Sequence, residues 1–119
     1  MESFALASKI VKCADDKKAH DIKLLEIKEL TTLCDYFVIC HGTSNPQMRA
    51  IFDEIEEKLK EEGITLFNPG AGSNTQWLLM DYGDVIVHIF GEESREFYSI
   101  ENLWNDAKSI DVSELTGGI

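Results

Sequence analysis

Residues 77–90 read WLLMDYGDVIVHIF, and this stretch decides the fold class of the chain. Two short apolar runs, residues 77–80 and 85–90, flank a turn with the sequence Asp-Tyr-Gly-Asp. Glycine adopts the positive φ angles of a hairpin turn without steric cost, so the pattern predicts two antiparallel strands. Side chains alternate along the second strand, and we assign one of its faces to the core. That face carries Val85, Val87 and Ile89.

The segment after the hairpin, residues 91–104, reads GEESREFYSIENLW and predicts a helix. Ser94 suits its N-cap, and we expect the helix to end near Ala107. Tyr98 lies outside the apolar stripe that is expected to face the core. The stripe consists of Ile100, Leu103, Trp104 and Ala107. Residues 109–119 lack a core-forming pattern and are expected to fray, so the predicted domain spans residues 1–108.

Helical and strand-like patterns alternate upstream of the hairpin. Ser3 begins a first helix of about 15 residues, in which apolar positions recur at helical spacing. Residues 21–27 read as a strand. Residues 35–41 are almost continuously apolar, which is typical of a central strand covered on both faces. A second helix follows, and after it residues 64–67 read as a short strand and residues 68–74 as a loop.

Two sets of residues compete to begin the second helix. Ser44 and Gln47 have the spacing of a capping box. Asn45 and Pro46 instead place a proline in the first helical turn, where its missing N–H costs nothing. With either start the helix runs to about Glu62, ends at glycine and carries one apolar row. The row consists of Ile51, Ile55 and Leu59.

The predicted order is α-β-β-α-β-β-β-α, which indicates a single α/β domain with a mixed β-sheet packed by helices. A length of 119 residues and a hydrophobic content of 44% suit one domain with its own core. No apolar run approaches the roughly 20 residues that span a membrane, and the N-terminus lacks the pattern of a secretory signal. Three cysteines without a CxxC pair fit reduced thiols. We therefore expect a cytoplasmic protein without membrane contact.

Charge restricts the kind of partner. Eleven Lys and Arg against twenty-two Asp and Glu give a formal net charge of -11. Such a domain repels phosphate backbones over a Debye length of about 8–10 Å, so we expect little direct nucleic-acid binding. The same field favours a basic protein partner. The simpler alternative is that the charge only keeps the protein in solution.

The sequence offers two weak candidates for chemistry. Gly42-Thr43-Ser44 lies between a buried strand and a helix N-terminus, where backbone N–H groups can hold an anion. Phosphoryl transfer also requires paired carboxylates for a metal, and residues 64–67 contain none. Asp81 and Asp84 flank the hairpin turn and are typical turn formers.

The histidines lack metal-ligand spacing, and His88 belongs either to a second covered face or to an interaction surface. We therefore predict no enzyme, no metal and no cofactor.

Aromatic residues mark the third candidate, an interaction surface. Trp77 shares a strand face with Leu79. Phe97 and Tyr98 point to different sides of their helix, so both cannot be fully buried in one core. Protein interfaces are enriched in Trp, Tyr and Arg, and Arg95 stands one turn before Tyr98. The alternative is a core that is slightly rich in aromatic residues.

Three motifs stand out together, and they read DYFVICHGTSNPQMRAI at residues 35–51, WLLMDYGDVIVHIF at 77–90 and REFYSIENLW at 95–104. In combination they resemble the Iojap family, the ribosomal silencing factors (RsfS) of bacteria and organelles. Their order and spacing are specific, and the resemblance extends over residues 5–107. The family has an acidic Glu-Gly pair shortly before the tryptophan, where this chain has Asn68-Pro69-Gly70-Ala71-Gly72.

The resemblance implies a nucleotidyltransferase-like fold without the catalytic carboxylates. It also implies binding to the fourteenth protein of the large ribosomal subunit, which sterically blocks joining of the small subunit and represses translation. The contact residues that it implies are Trp77, Asp81, Asp84, His88, Arg95, Tyr98 and Trp104. Two alternatives stay open: a small nucleotidyltransferase-like protein that binds a nucleotide at Gly42-Thr43-Ser44, and a homodimer built on the exposed hairpin or on the Trp77 face.

Overall fold

The computed structural model describes residues 2–67, 76–99, 102, 104–113, 115 and 116. Besides the single helical residue Asn102, three helices and five strands follow one another within these ranges. They are α1 (Ser3–Asp16), β1 (His20–Glu26), β2 (Tyr36–Gly42), α2 (Asn45–Lys60), β3 (Trp77–Asp81), β4 (Val85–Gly91), α3 (Glu92–Tyr98) and β5 (Lys108–Ile110). Each helix in the described part of the chain is too short or too polar to cross a bilayer.

The five strands form one mixed sheet in the order β3-β4-β2-β1-β5. β2 and β4 run parallel, with Tyr36 opposite Val85 and Gly42 opposite Gly91. The other neighbours pair antiparallel, and β3 and β4 form the predicted hairpin around Gly83, whose φ is 85°. The prediction of a single α/β domain with a mixed sheet packed by helices is confirmed.

Helices α1 and α2 cover one side of the sheet, which we call the helix-covered face. Val85, Val87 and Ile89 point to this side and are completely buried, as predicted. The predicted row of α2 packs against them, and Ile51, Ile55 and Leu59 are each 0% exposed. Burying so much aliphatic surface in one continuous cluster supplies the main driving force for folding.

The opposite side of the sheet, which we call the aromatic face, carries a second and smaller cluster. Its buried members are Leu25, Ile27, Cys34, Phe37, Ile39 and Phe90. Trp77, Ile86, Trp104 and Ala107 pack against it while remaining partly exposed. Every strand residue of β2 except His41 is buried, so the prediction that this strand is covered on both faces is confirmed.

The structure shows which of the predicted N-cap residues begin the helices. The hydroxyl of Ser44 accepts from the Gln47 N–H at 3.2 Å, and Gln47 Oε1 accepts from the Thr43 N–H at 2.8 Å. Of the two competing starts, the Ser44 cap is therefore right. The Ser3 and Ser94 caps are wrong, because α1 begins after Glu2 and α3 begins after Gly91.

The predicted strand at residues 64–67 is wrong. Ile64 and Leu66 pack against the core while Thr65 and Phe67 are exposed, so the alternation typical of a strand is real. No ladder forms along this segment, which meets β3 through a bond from the Phe67 N–H to the Asp81 carbonyl. The predicted loop at residues 68–74 lies outside the described residues.

The C-terminal region differs from its prediction in two ways. Helix α3 ends at Tyr98, nine residues before the predicted end at Ala107, and Ser99 follows in the left-handed conformation at φ 49°. Residues 104–107 form a turn instead of a helix. Ile100 and Leu103 of the predicted stripe lie outside the described residues. Residues 109 and 110, predicted to fray, belong to β5, where Ser109 lies opposite Leu25.

Candidate interaction surface

Strand β3 presents an accessible border of the aromatic face. Its alternation buries Leu78 and Met80 under the helices and leaves Trp77, Leu79 and Asp81 half-buried on the other side. The neighbouring position on β4, opposite Asp81, is the half-buried Ile86. We call Trp77, Leu79, Asp81 and Ile86 the β3 strip. It offers apolar surface along one strand with a carboxylate at its end.

The ring of Trp77 is held in place from below. Its indole N–H donates to Nδ1 of His88 at 3.2 Å, and its ring lies 5.1 Å from that of Phe90. A tryptophan fixed in this way loses little conformational entropy when a partner covers it. The sequence predicted Trp77 as a contact residue, and the structure adds the reason for the orientation of its ring.

His88 lies beneath the strip, on a second covered face, which was one of its two predicted positions. It is 5% exposed and contacts the ring of Phe37 edge-on at 4.7 Å. Since Nδ1 accepts from Trp77, the proton of the neutral ring is assigned to Nε2, which is buried and has no hydrogen-bond partner among the described residues. Burial lowers the pKa of His88 to about 4, so the ring is neutral at neutral pH.

Carboxylates collect at the turn end of the strip. Asp81 Oδ1 accepts from the Gly83 N–H at 2.8 Å, so Asp81 is a turn former, as predicted. Asp84 is exposed, and its carbonyl accepts from the N–H of Asp35. Burial, followed by the charges of Asp35, Asp81 and Asp84, raises the pKa of the Cys34 thiol to about 11. The turn end of the strip therefore has a negative potential.

The remaining predicted contact residues occupy different environments. Trp104 is half-buried and packs edge-on against Phe37 at 5.4 Å, within the aromatic face. Arg95 is only 8% exposed and contacts residues of its own chain. Tyr98 is the last residue of α3, and its side chain lies outside what the structure describes. The structure thus brings Trp77, Asp81 and Asp84 together at one accessible border.

The candidate anion site at Gly42-Thr43-Ser44 opens into a cavity of about 260 Å³ between the ends of β2 and β4. The N–H of Thr43 already donates to Gln47, and the hydroxyl of Ser44 is occupied as a helix cap. Glu92 and Glu93 line the same cavity and oppose an anion. Among the described residues, no three His, Cys, Asp or Glu side chains converge as metal ligands would.

Sequence reasoning missed two features of this region. It used Leu79 and Ile86 only as face markers, although they supply the apolar middle of the β3 strip. It also missed the contact between Arg95 and His41, which are 54 positions apart. No local pattern could have found that contact, because only the crossover between the parallel strands brings the two residues together.

The fold defines a small α/β domain with a five-stranded mixed sheet, and comparison with known proteins shows which family it belongs to. The family described as "Ribosomal silencing factor during starvation" (RsfS) matches residues 1–118. The ribosomal silencing factor RsfS of Bacillus subtilis (strain 168) is 41% identical over 98 residues, covering 82% of this chain and 83% of the relative. That of Halalkalibacterium halodurans is 36% identical over 112 residues, covering 94% and 96%.

A solved structure supports the same assignment. The crystal structure of a Chromobacterium violaceum protein superimposes with a TM-score of 0.84 at 32% identity, covering 88% of each chain. The chain belongs to the ribosomal silencing factor family, so the resemblance seen in the three sequence motifs is confirmed.

Proposed function

We propose that this protein binds the large ribosomal subunit through its fourteenth ribosomal protein and thereby keeps the small subunit from joining. Family membership supports a ribosomal partner, since the relatives are named ribosomal silencing factors. Such a mechanism needs occupancy of a surface and no chemical turnover. A ribosomal partner also implies a cytoplasmic location, as expected from the three reduced cysteines.

The β3 strip is the observation that carries the proposed binding mode. Trp77, Leu79 and Ile86 offer apolar surface, and Asp81 and Asp84 add negative charge at one end. A basic ribosomal protein embedded in RNA is complementary to this arrangement. The net charge of -11 repels the surrounding phosphates while favouring the cationic protein between them. An interface of about 1,600 Å² with a few good anchors is sufficient for tight binding.

The seven residues implied by the family resemblance divide into two groups in this proposal. Trp77, Asp81, Asp84 and Tyr98 touch the partner directly. The other three support the surface from beneath, because His88 and Arg95 are buried and Trp104 packs on Phe37.

Sucrose-gradient sedimentation tests the function. Added protein is expected to increase free subunits at the expense of joined ribosomes, and to migrate with the large subunit. Asp84→Lys should weaken this effect by reversing a charge at the end of the strip. Asp53→Lys is the matched control, since Asp53 is also an exposed carboxylate and lies on α2, where it pairs with the exposed Arg49. Equal loss in the two variants would show that overall charge matters and the strip does not.

Two simple measurements separate the alternatives. If the cavity at Gly42-Thr43-Ser44 binds a nucleotide, calorimetry with ATP and magnesium will show binding tighter than about 10 μM, a typical metabolite affinity. We expect no such binding, because two carboxylates line that cavity. If a homodimer forms on the strip, light scattering will show a concentration-dependent mass that Trp77→Ala abolishes.

A further inference from the structure

Helix α3 is held in place by polar contacts. It has seven residues, begins at Gly91 without a side-chain cap, and ends at a left-handed Ser99. A helix of this length is unstable by itself, so tertiary contacts must hold it. Glu92, Glu93 and Glu96 are exposed, whereas Ser94 and Arg95 are buried. The Ser94 hydroxyl lies within hydrogen-bond distance of the Gln76 and Gly91 carbonyls and anchors the start of the helix.

Arg95 anchors the middle of α3 to two strands of the sheet. One guanidinium nitrogen donates to the His20 carbonyl at 3.3 Å and contacts Nδ1 of His41 at 2.9 Å. The other lies 3.5 Å from a carboxylate oxygen of Asp21. Asp21 has a positive φ of 48° at an irregularity in the pairing of β1 with β2, and this places the carbonyl of His20 and the carboxylate of Asp21 beside the helix.

The contact between Arg95 and His41 requires one protonation state. A guanidinium only donates hydrogen bonds, so His41 Nδ1 must present its lone pair and the ring must be neutral. A protonated ring would point an N–H at the guanidinium and set two positive charges against each other. The ring of His20 stacks on that of His41 with centroids 5.4 Å apart, so a cation there would meet a second imidazole.

The charged groups around His41 oppose one another. Burial, then the positive charge of Arg95, then His20, lower the pKa of His41, while Asp21 and Glu92 act in the raising direction. The lowering effects prevail. Because the pKa in the folded state lies below the ordinary value of about 6.5, the contact is present above that pH and is lost as the pH falls below it.

We propose that Arg95 is a positioning residue, which clamps α3 onto His41, and that proton uptake by His41 opens this clamp. The inference rests on the proposed function, because α3 ends at Tyr98, one of the proposed partner contacts. Clamping fixes the helix next to the sheet at neutral pH. Opening it frees the helix end and weakens binding to the large subunit, so the device makes silencing sensitive to acidification.

Hydrogen exchange measured by mass spectrometry tests the clamp without any partner. Protection of the α3 amides, corrected for the intrinsic effect of pH on exchange, is expected to fall by up to about tenfold between pH 7.5 and pH 5.5. Linkage sets that limit, because a histidine that titrates near 6.5 when the clamp is open gains about a tenfold preference for the open state over this range. His41→Gln keeps an acceptor for Arg95 but does not titrate, so its α3 protection should not change with pH. His20→Gln keeps the backbone carbonyl that accepts from Arg95 but removes the stacked ring, so its α3 protection should still fall as the pH is lowered.

A second measurement connects the clamp to binding. Co-sedimentation with purified large ribosomal subunits at the same pH values should weaken by up to about tenfold for the wild-type protein and stay constant for His41→Gln, each relative to pH 7.5. Arg95→Lys cannot make the forked contacts and should lower α3 protection at every pH. If His41→Gln retains the wild-type pH dependence of exchange, or if the wild-type protein shows none, the clamp is refuted. If the wild-type protein binds no subunits at any pH, the proposed function fails, and the exchange data alone decide the clamp.

Discussion

The two faces of the sheet are closed in different ways. On the helix-covered face, α1 and α2 seal an almost wholly apolar cluster in which Ile51, Val87 and Ile89 are completely buried. On the aromatic face, the centre is buried but contains His88, and the border along β3 stays half-exposed at Trp77 and Leu79. A face that the chain seals with aliphatic side chains contributes mainly stability. A face that keeps polar atoms and open aromatic edges contributes less stability, and the proposed function assigns recognition to it.

The largest expected effect lies on the helix-covered face. Ile51→Ala removes a completely buried side chain and should lower the free energy of unfolding by about 2–5 kcal/mol, because the transfer energy is lost and a cavity remains. Urea denaturation followed by circular dichroism measures this. Binding to large subunits, measured where the variant is folded, should change little. A loss of stability below about 1 kcal/mol would mean that this face is not tightly packed.

Trp77→Ala should show the opposite pattern. Removing the aromatic anchor at the start of the β3 strip is expected to weaken binding to large ribosomal subunits by about 2–4 kcal/mol. The cost in folding should be smaller than that of Ile51→Ala, because Trp77 is already half-exposed. Competitive co-sedimentation against the wild-type protein measures the first quantity and urea denaturation the second.

Trp77→Phe is the matched control for that variant. It keeps an apolar ring on the strip but removes the N–H that donates to His88. We expect intermediate binding. If Trp77→Ala binds as the wild-type protein does, the aromatic face is not the binding face and the contrast between the two faces is wrong.

His88 should make the stability of the aromatic face depend on pH. Its pKa in the folded state is about 4, below the ordinary value of 6.5, so its contribution is complete above pH 6.5 and is lost as the pH falls toward 4. Between pH 7 and pH 5 this loss amounts to about 2 kcal/mol.

The comparison with His88→Asn isolates this effect. The amide oxygen of asparagine can accept from the Trp77 indole but does not titrate in this range. The wild-type protein should therefore lose about 2 kcal/mol more than the variant between pH 7 and pH 5 in urea denaturation. Parallel pH profiles for the two proteins would show that His88 is not the buried neutral group described here.

The smallest expected effect concerns the start of α2. Ser44→Ala removes the acceptor of the Gln47 N–H and should cost about 1 kcal/mol of stability, whereas Ser44→Gly should cost only a few tenths. Thermal or urea unfolding measures both. Since Ser44 acts here as a helix cap, neither variant should alter binding to large subunits. A strong loss of binding in either variant would instead point to a functional site at the cavity beside Gly42.

The sequence correctly predicted those features whose conformation depends on residues close to one another in the chain. The hairpin at Gly83, the Ser44 cap, and the assignment of Val85, Val87 and Ile89 to the core all depend on side-chain alternation and short-range hydrogen bonds. The prediction of a strand at residues 64–67 was wrong because strand formation also depends on a distant segment. Their alternation is correct, but strand formation also requires a paired neighbour, and the pattern of one segment contains no information about that.

The candidate site was predictable in part. Trp77, Asp81 and Asp84 are close in sequence, so their common position at one border followed from the hairpin alone. The burial of the His88 and Arg95 side chains could not be predicted from the hairpin, because it depends on which distant segments cover them. The end of α3 at Tyr98 and the strand at Lys108–Ile110 were also missed, since pairing with the distant β1 decides where the C-terminal segment lies.

The sequence alone determined the family, the fold class, the hairpin, the apolar rows and the strongly negative charge, because motifs, periodicity and composition are properties of the chain itself. The tertiary structure decided which aromatic side chains stay accessible, which neutral tautomer His88 adopts, and that Arg95 points inward to His41. Those outcomes depend on contacts between segments many residues apart. Their energies exist only once the parallel strands β2 and β4 have brought the segments together.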